Sequence, residues 1–315
     1  MNLDLMSDPK FFQMITTEQD ALLFLQSHGL ILSNPYCCNK SMVMRKRSDG
    51  KNKGYFFRCN VKDCRREFSI KKGSFFENSH LELKQMVYII YYFVRDNQRQ
   101  DDLMRNVEIE SEHTIVDWKN FCREICASHF LRNPVVLGGI NEIVEIDESS
   151  IVKRKYERGR LVRTQWVFGG YQPSIKQGFS VAVPDTKRET LFPIIRQYIR
   201  PGTLIITDCA RVYDTLELEG YQHLRVNHSE NFVNPITGAT TNRVESQWQK
   251  VKGKSKERFG THRTVLGSYL GEFMWRQKFG NSLIQFLTDI REEYRIKTII
   301  YTPEASKLFL HPIIN

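Results

Sequence analysis

From Asn141 onward the chain alternates short apolar runs in an order that few folds can accommodate. Three strand-like runs come first, EIVEIDESSIV, TQWVFGGYQ and GFSVAVP, separated by polar or glycine breaks. RETLFPIIRQYI then reads as a helix stopped by Pro201-Gly202, and TLIITDC as a buried strand of β-branched residues. RVYDTLELEG reads as a short helix, HLRVNHS as a further strand and TNRVESQWQKVKGK as a helix opening on Thr or Asn. The expected order is therefore β-β-β-α-β-α-β-α.

That order predicts a mixed α/β domain of ribonuclease-H-like arrangement, a strand trio extended by parallel strands with helices on both faces. We expect it over 140–290, followed by a tail over 291–315. Asp147 sits inside the first strand, and Asp208 ends the fourth, where ligands gather in open α/β sheets. Glu245 lies on the helix after the fifth strand. An Asp in an apolar strand is costly unless it is paired or bound to metal. Three hard oxygen donors suit Mg²⁺ or Mn²⁺. Glu142 and Glu148 compete for a ligand role, but strand alternation turns Glu148 to the face opposite Asp147. His228 is either a hydrogen-bonded structural residue or a contact to phosphate or water. Trp248, on the Glu245 helix, reads as core in preference to a residue that stacks on a base.

Upstream, residues 1–33 read as one or two short helices. Four of seven cysteines, Cys37, Cys38, Cys59 and Cys64, cluster in a basic, short-stranded segment, 34–78. The second pair has usable spacing for a zinc ribbon, whereas adjacent Cys37 and Cys38 do not easily chelate one ion. LELKQMVYIIYYFVRD is apolar nearly all round and predicts a buried helix. With a short helix and the Ser111-capped run after it, the stretch 79–135 reads as a helix-turn-helix or a plain helical linker.

The formal charge of +10 and a pI near 9.2 favour a polyanionic partner, nucleic acid before an anionic membrane. No apolar run approaches the ~20 residues of a spanning helix, and the N-terminus lacks a basic-then-apolar signal. An odd cysteine count in a chain of this size points to a reducing, intracellular compartment. Basic residues expected to meet DNA phosphates are Arg45, Lys46, Arg47, Arg65 and Arg66 in the cysteine segment. Lys153, Arg154 and Lys155 follow the first acidic strand, and Lys250, Lys252 and Lys254 follow Glu245.

Taken in order, IVEIDESSIVKRKYERGR, QWVFGGYQ, LIITDC, RVNHSENFVNPITGATTNRVESQWQKVK and YLGEFMWRQKFG resemble the Merlin superfamily of DNA transposases over about 35–285. The resemblance implies that Asp147, Asp208 and Glu245 form a DDE triad, supported by His228-Ser229 and Thr241-Asn242. It aligns Cys38 with the second zinc-ribbon cysteine and puts Pro35 at the place of the first, for which Cys37 substitutes. It further implies Mg²⁺ or Mn²⁺ for catalysis, a structural Zn²⁺, double-stranded DNA as both transposon end and target, a homodimer or higher oligomer on that DNA, and a nuclear location. Two alternatives share the fold: a domesticated, catalytically silent DNA-binding protein, and a nuclease with no transposition role.

Overall fold

The computed structural model describes residues 2–47, 54–96, 98–152, 164–227, 233, 238–258, 260–296 and 300–301. The chain forms two compact units, one of residues 1–125 with 281–315, the other of 126–280.

The first unit opens with α1 (Asp8–Met14) and α2 (Glu18–Ser27), the latter started by a capping box between Thr17 and Asp20. Two short strands, β1 (Tyr36–Cys37) and β2 (Lys40–Ser41), pair antiparallel across the two-residue turn Cys38-Asn39. Next comes an antiparallel sheet of β3 (Val43–Arg47), β4 (Gly54–Arg58) and β5 (Glu67–Ser69), in which Phe57 stands opposite both Met44 and Phe68. The all-round apolar run becomes α3 (Leu83–Arg95), buried on most of its surface, with Tyr91 stacked on Phe11 at 3.9 Å. Its first turn is held by Glu18, whose carboxylate accepts from the Leu83 and Lys84 amides at 2.9 and 3.0 Å. α4 (Gln100–Val107) and α5 (Glu112–Arg132) follow, joined by a four-residue turn with Glu108 in the left-handed region. The boundary between units falls within α5.

The second unit is built on β6 (Ile143–Val152), which lies antiparallel to β7 (Gln165–Gln172) and parallel, across the connection carrying β8 (Gln177–Val183) and α6 (Arg188–Tyr198), to β9 (Leu204–Asp208). β10 (Gln222–Val226) completes a five-stranded mixed sheet of order β10-β9-β6-β7-β8. The period of two sorts the core. Val144, Ile146, Phe168, Phe179 and Ile205 pack with Leu191, Phe192 and Ile195 of α6. Val167 packs with Val244, Trp248 and Val251 of α7 (Asn242–Glu257) and with Leu266 and Leu270 of α8 (Arg263–Phe279).

Two expectations need correction. The short helix expected between β9 and β10 is instead two 3₁₀ turns, Arg211–Tyr213 and Glu217–Glu219. Tyr213, at the end of the first turn, and Leu216, just before the second, are both buried. The second correction concerns α9 (Leu283–Glu293), which belongs to the first unit and not to a catalytic domain ending at 290. Its start is capped by Ser282 and fixed by Asp4, which accepts from Ser282 Oγ and the Ile284 amide at 2.7 and 3.1 Å, while Phe286 meets Phe93. These contacts span most of the sequence and leave no local signal. A last strand, β11 (Ile300–Tyr301), pairs parallel with β1.

Candidate active site and a cluster of four thiols

β6 and β9 run parallel in the register Glu145 to Ile206, so two residues further on Asp147 and Asp208 stand side by side on one face of the sheet. α7 covers that face and carries Glu245. Asp147 is largely buried, and its pKa is raised to about 7, first by desolvation and then by the charges of Glu148, Asp208 and Glu245. Of these charges Glu148 acts most strongly and Glu245 least, and burial outweighs all of them. Asp208 is steadied by its own turn, Oδ1 accepting from the Ala210 amide at 3.0 Å, and Glu245 by Thr241 Oγ1 at 3.3 Å.

Trp248 both fills the core and touches the site. The indole Nε1–H donates to Asp147 Oδ2 at 3.0 Å, fixing that oxygen. Gly169, paired with Asp147 across β6 and β7, makes this possible. A Cβ there would lie 2.5 Å from the Phe179 carbonyl oxygen and 2.6 Å from the Trp248 ring.

Glu148 points to the opposite face, as strand alternation predicts. It stands beside Tyr213, a fully buried tyrosine whose hydroxyl has no partner at hydrogen-bond length and angle. Burial and the Glu148 charge drive the Tyr213 pKa far up, while burial raises that of Glu148. Glu142, the other competitor, accepts from Gln172 Nε2 and Ser174 Oγ, each at 2.7 Å, at the far end of β6, and takes no part. Asn242 opens α7 as an exposed residue whose amide donates to Thr240 Oγ1. His228, Lys153, Arg154 and Lys155 lie outside the described residues.

One acid escaped the sequence reading. Glu145 precedes Asp147 by two on the same strand face and is completely buried. Its carboxylate accepts from the amides of Arg243 and Val244 at 3.0 and 3.1 Å, and from the Arg243 guanidinium at 2.9 Å. Leaving such a charge buried without those donors would cost several kcal/mol. The period-two repeat of acids in IVEIDES was the signal available.

The four cysteine sulfurs of the first unit lie within 4.8 Å of one another. Cys37 Sγ stands 3.9 Å from Cys38 Sγ and 3.6 Å from Cys64 Sγ, matching the ~3.8 Å edge of a tetrahedron with Zn–S bonds of ~2.3 Å. The turn removes the objection to adjacent ligands. Cys38 and Asn39 have φ of +53° and +57°, both in the left-handed region that a type I′ hairpin turn requires. That fold-back brings neighbouring sulfurs to one centre. Burial and the neighbouring thiols push the Cys37 pKa well up, while the Arg66 amide, followed by the Cys37 thiol, lowers that of Cys64 to about 7. The donor set therefore fits one zinc ion.

Among the basic residues, Arg45 and Lys46 are exposed on β3, and Arg65 is exposed beside Cys64. Arg47 pairs with Glu67 at 3.2 Å, and Arg66 is half-buried. On α7, Lys250 and Lys254 are exposed, Lys252 is half-buried, and Lys254 lies 3.6 Å from Glu257. No helix among the described residues is long and apolar enough to cross a membrane.

Open mixed α/β sheets take their ligands just beyond the carboxyl ends of the strands, where Asp208 ends β9, and comparison with known proteins narrows the class. The ISXO2-like transposase domain family matches residues 138–278, a span that includes all three acids. A Haemophilus influenzae protein described as an uncharacterized transposase-like protein is 36% identical over 113 residues, covering 34% of this chain and 84% of that protein. The chain belongs to the ISXO2-like transposase family. Solved structures are more distant. A simian T-cell lymphotropic virus intasome in complex with a PP2A regulatory subunit aligns at a TM-score of 0.30 and 13% identity, covering 60% of this chain and 67% of that one. The Mos1 transposase paired-end complex with the left transposon end aligns at 0.25 and 12%, covering 65% and 78%. Scores of this size bear no weight on the site.

Proposed function

We propose that this chain is a Merlin-type DNA transposase that cuts at the terminal inverted repeats of its element and joins the freed 3′-hydroxyl to target DNA. The observation that carries the reading is the register of β6 and β9, which sets Asp147 and Asp208 on one face of the sheet, under the helix α7 that carries Glu245. Family membership over the span holding all three supports it.

Asp147, Asp208 and Glu245 would hold Mg²⁺ or Mn²⁺, which when bound activates the attacking oxygen and stabilises the leaving one. Trp248 orients Asp147, and Thr241 orients Glu245. Lys250, Lys252 and Lys254 on α7, with Lys153, Arg154 and Lys155, would take the phosphate backbone past this face; phosphate contacts position a duplex without reading it. His228, Asn242 and Glu148 remain supporting residues in this reading. End recognition falls to the first unit. There a zinc ion on Cys37, Cys38, Cys59 and Cys64 would hold β3 with Arg45, Lys46 and Arg47, along with Arg65 and Arg66. α4 and α5 supply a helix-turn-helix. Two ends must be held together, so a homodimer or larger oligomer on DNA is expected, acting in the nucleus.

The test is incubation of the full chain with candidate end DNA and Mn²⁺, mapping cuts and joined products. Cuts at the element ends followed by joining support transposition. End binding without cleavage would favour a silent DNA-binding protein, and cleavage without joining a nuclease. Asp147→Asn and Asp208→Asn should abolish cleavage with DNA binding nearly intact, since binding rests on Lys and Arg.

A further inference from the structure

The reading of the three acids as a metal site leaves open what fixes Glu245, which comes from a helix, against Asp147, which comes from a strand. We propose that Glu145 is the positioning residue that sets this distance. It offers no ligand itself, being fully buried with both carboxylate oxygens engaged: Oε2 by the Arg243 and Val244 amides, Oε1 by the Arg243 guanidinium. Those two amides belong to the first turn of α7, where backbone N–H groups have no partner inside the helix and the helix dipole favours a negative charge.

The same strand thus carries Asp147 toward the site and, two residues earlier on the same face, the anchor for the helix that carries Glu245. Along that path the two acids are separated by one β repeat, about 7 Å, and by less than one helical turn. Both segments are stiff. Trp248 supplies a second tether one turn further along α7, donating to Asp147 itself. Rotating or sliding α7 to misplace Glu245 would therefore strip a buried charge of its three donors and break the Trp248 bond together. The device recurs in the first unit, where Glu18 holds the first turn of α3.

The experiment is calorimetric Mn²⁺ titration of the DNA-free full chain as wild type, Glu145→Gln, Arg243→Ala and Asp147→Asn, with cleavage kinetics at rising Mn²⁺. Gln keeps the shape but lacks the charge and one acceptor. Removing a partner that orients a metal ligand weakens metal binding by roughly tenfold or more, and that is the loss expected for Glu145→Gln. Its cleavage should show a lower kcat, an unchanged KM for end DNA, and recovery at high Mn²⁺, which a simple folding defect would not show. A folded Glu145→Gln protein with wild-type Mn²⁺ affinity overturns the proposal. If Glu145→Gln does not fold, Arg243→Ala decides: it removes a half-exposed side chain beyond Cβ, and with it the guanidinium donor, while both backbone amide donors stay. An affinity loss of at least about threefold, given the remaining two donors, supports the positioning role, and no loss overturns it. Loss of affinity in Asp147→Asn but not in these variants removes Glu145 alone. Equal affinity in wild type and Asp147→Asn removes the metal site and this proposal with it.

Discussion

Replacing Asp147 with Asn is expected to stabilise the metal-free protein while destroying its capacity to hold a divalent ion. The pKa of Asp147 is raised from the ordinary 3.8 to about 7 by burial and by the charges of Glu148, Asp208 and Glu245. The folded state therefore binds this proton more tightly than the unfolded chain does. The stability it contributes is complete at low pH and is lost as pH rises through 7. At 1.36 kcal/mol per unit, the ceiling on that loss is about 4 kcal/mol by pH 8. Asn carries no charge and still offers an oxygen to the Trp248 indole, though a neutral acceptor is weaker by roughly 1 kcal/mol. A net gain of about 1–3 kcal/mol remains, equivalent to about 2–10 °C in Tm for a unit of this size. Differential scanning calorimetry in excess chelator at pH 8 and pH 5 measures it. The gain should be largest at pH 8 and smaller at pH 5, where the folded protein keeps the Asp147 proton and the unfolded chain does not, and it should vanish only below the ordinary pKa of 3.8. Added Mn²⁺ should reverse the order, stabilising wild type by about 2.7 kcal/mol at a hundredfold excess over Kd and leaving the variant unmoved. A variant less stable than wild type at pH 8, or a difference indifferent to pH, would refute the reasoning that burial and the neighbouring charges raise the Asp147 pKa.

Trp248→Phe keeps most of the packing and removes the indole donor to Asp147; Mn²⁺ affinity measured by calorimetry should fall about tenfold with little change in fold by circular dichroism. Gly169→Ala should cost about 1–3 kcal/mol in thermal denaturation and weaken Mn²⁺ binding, because the new methyl strikes both the Phe179 carbonyl and the Trp248 ring. In the first unit, metal analysis of the purified full chain should find one zinc per molecule, and Cys38→Ser should release it to a weak chelator. With zinc removed, alkylation followed by mass spectrometry should label Cys64 with a midpoint near pH 7, as its lowered pKa dictates, and spare Cys37 into strongly alkaline solution. Simultaneous labelling of both would dissolve the cluster as drawn.

Much of the second unit was legible because its signals are local. Period-two runs marked β6, β7 and β8, a β-branched run marked β9, and the Asp that ends it stands where sheets of this kind present ligands. Asp147 was conspicuous as a charge in an apolar strand, and alternation along that strand correctly turned Glu148 away from it. The four cysteines were visible as a cluster in sequence. What the sequence withheld depends on contacts between distant residues. Glu145 and Asp147 share a strand face and a charge, yet one is sealed under the first turn of α7 and the other is held by the Trp248 indole, and only the docking of that helix separates them. Trp248 read as core and is core, but its N–H reaches Asp147 only because Gly169 leaves room on the neighbouring strand. Adjacent Cys37 and Cys38 looked unfit to share an ion until the backbone turned left-handed at Cys38 and Asn39, a conformation not favoured by cysteine in the sequence itself. α9 joined the first unit through Asp4 and Phe93, nearly the whole chain away. Composition and period fix which faces seek burial; which face meets which partner is decided by tertiary packing, where buried charges accept no partner but the right one.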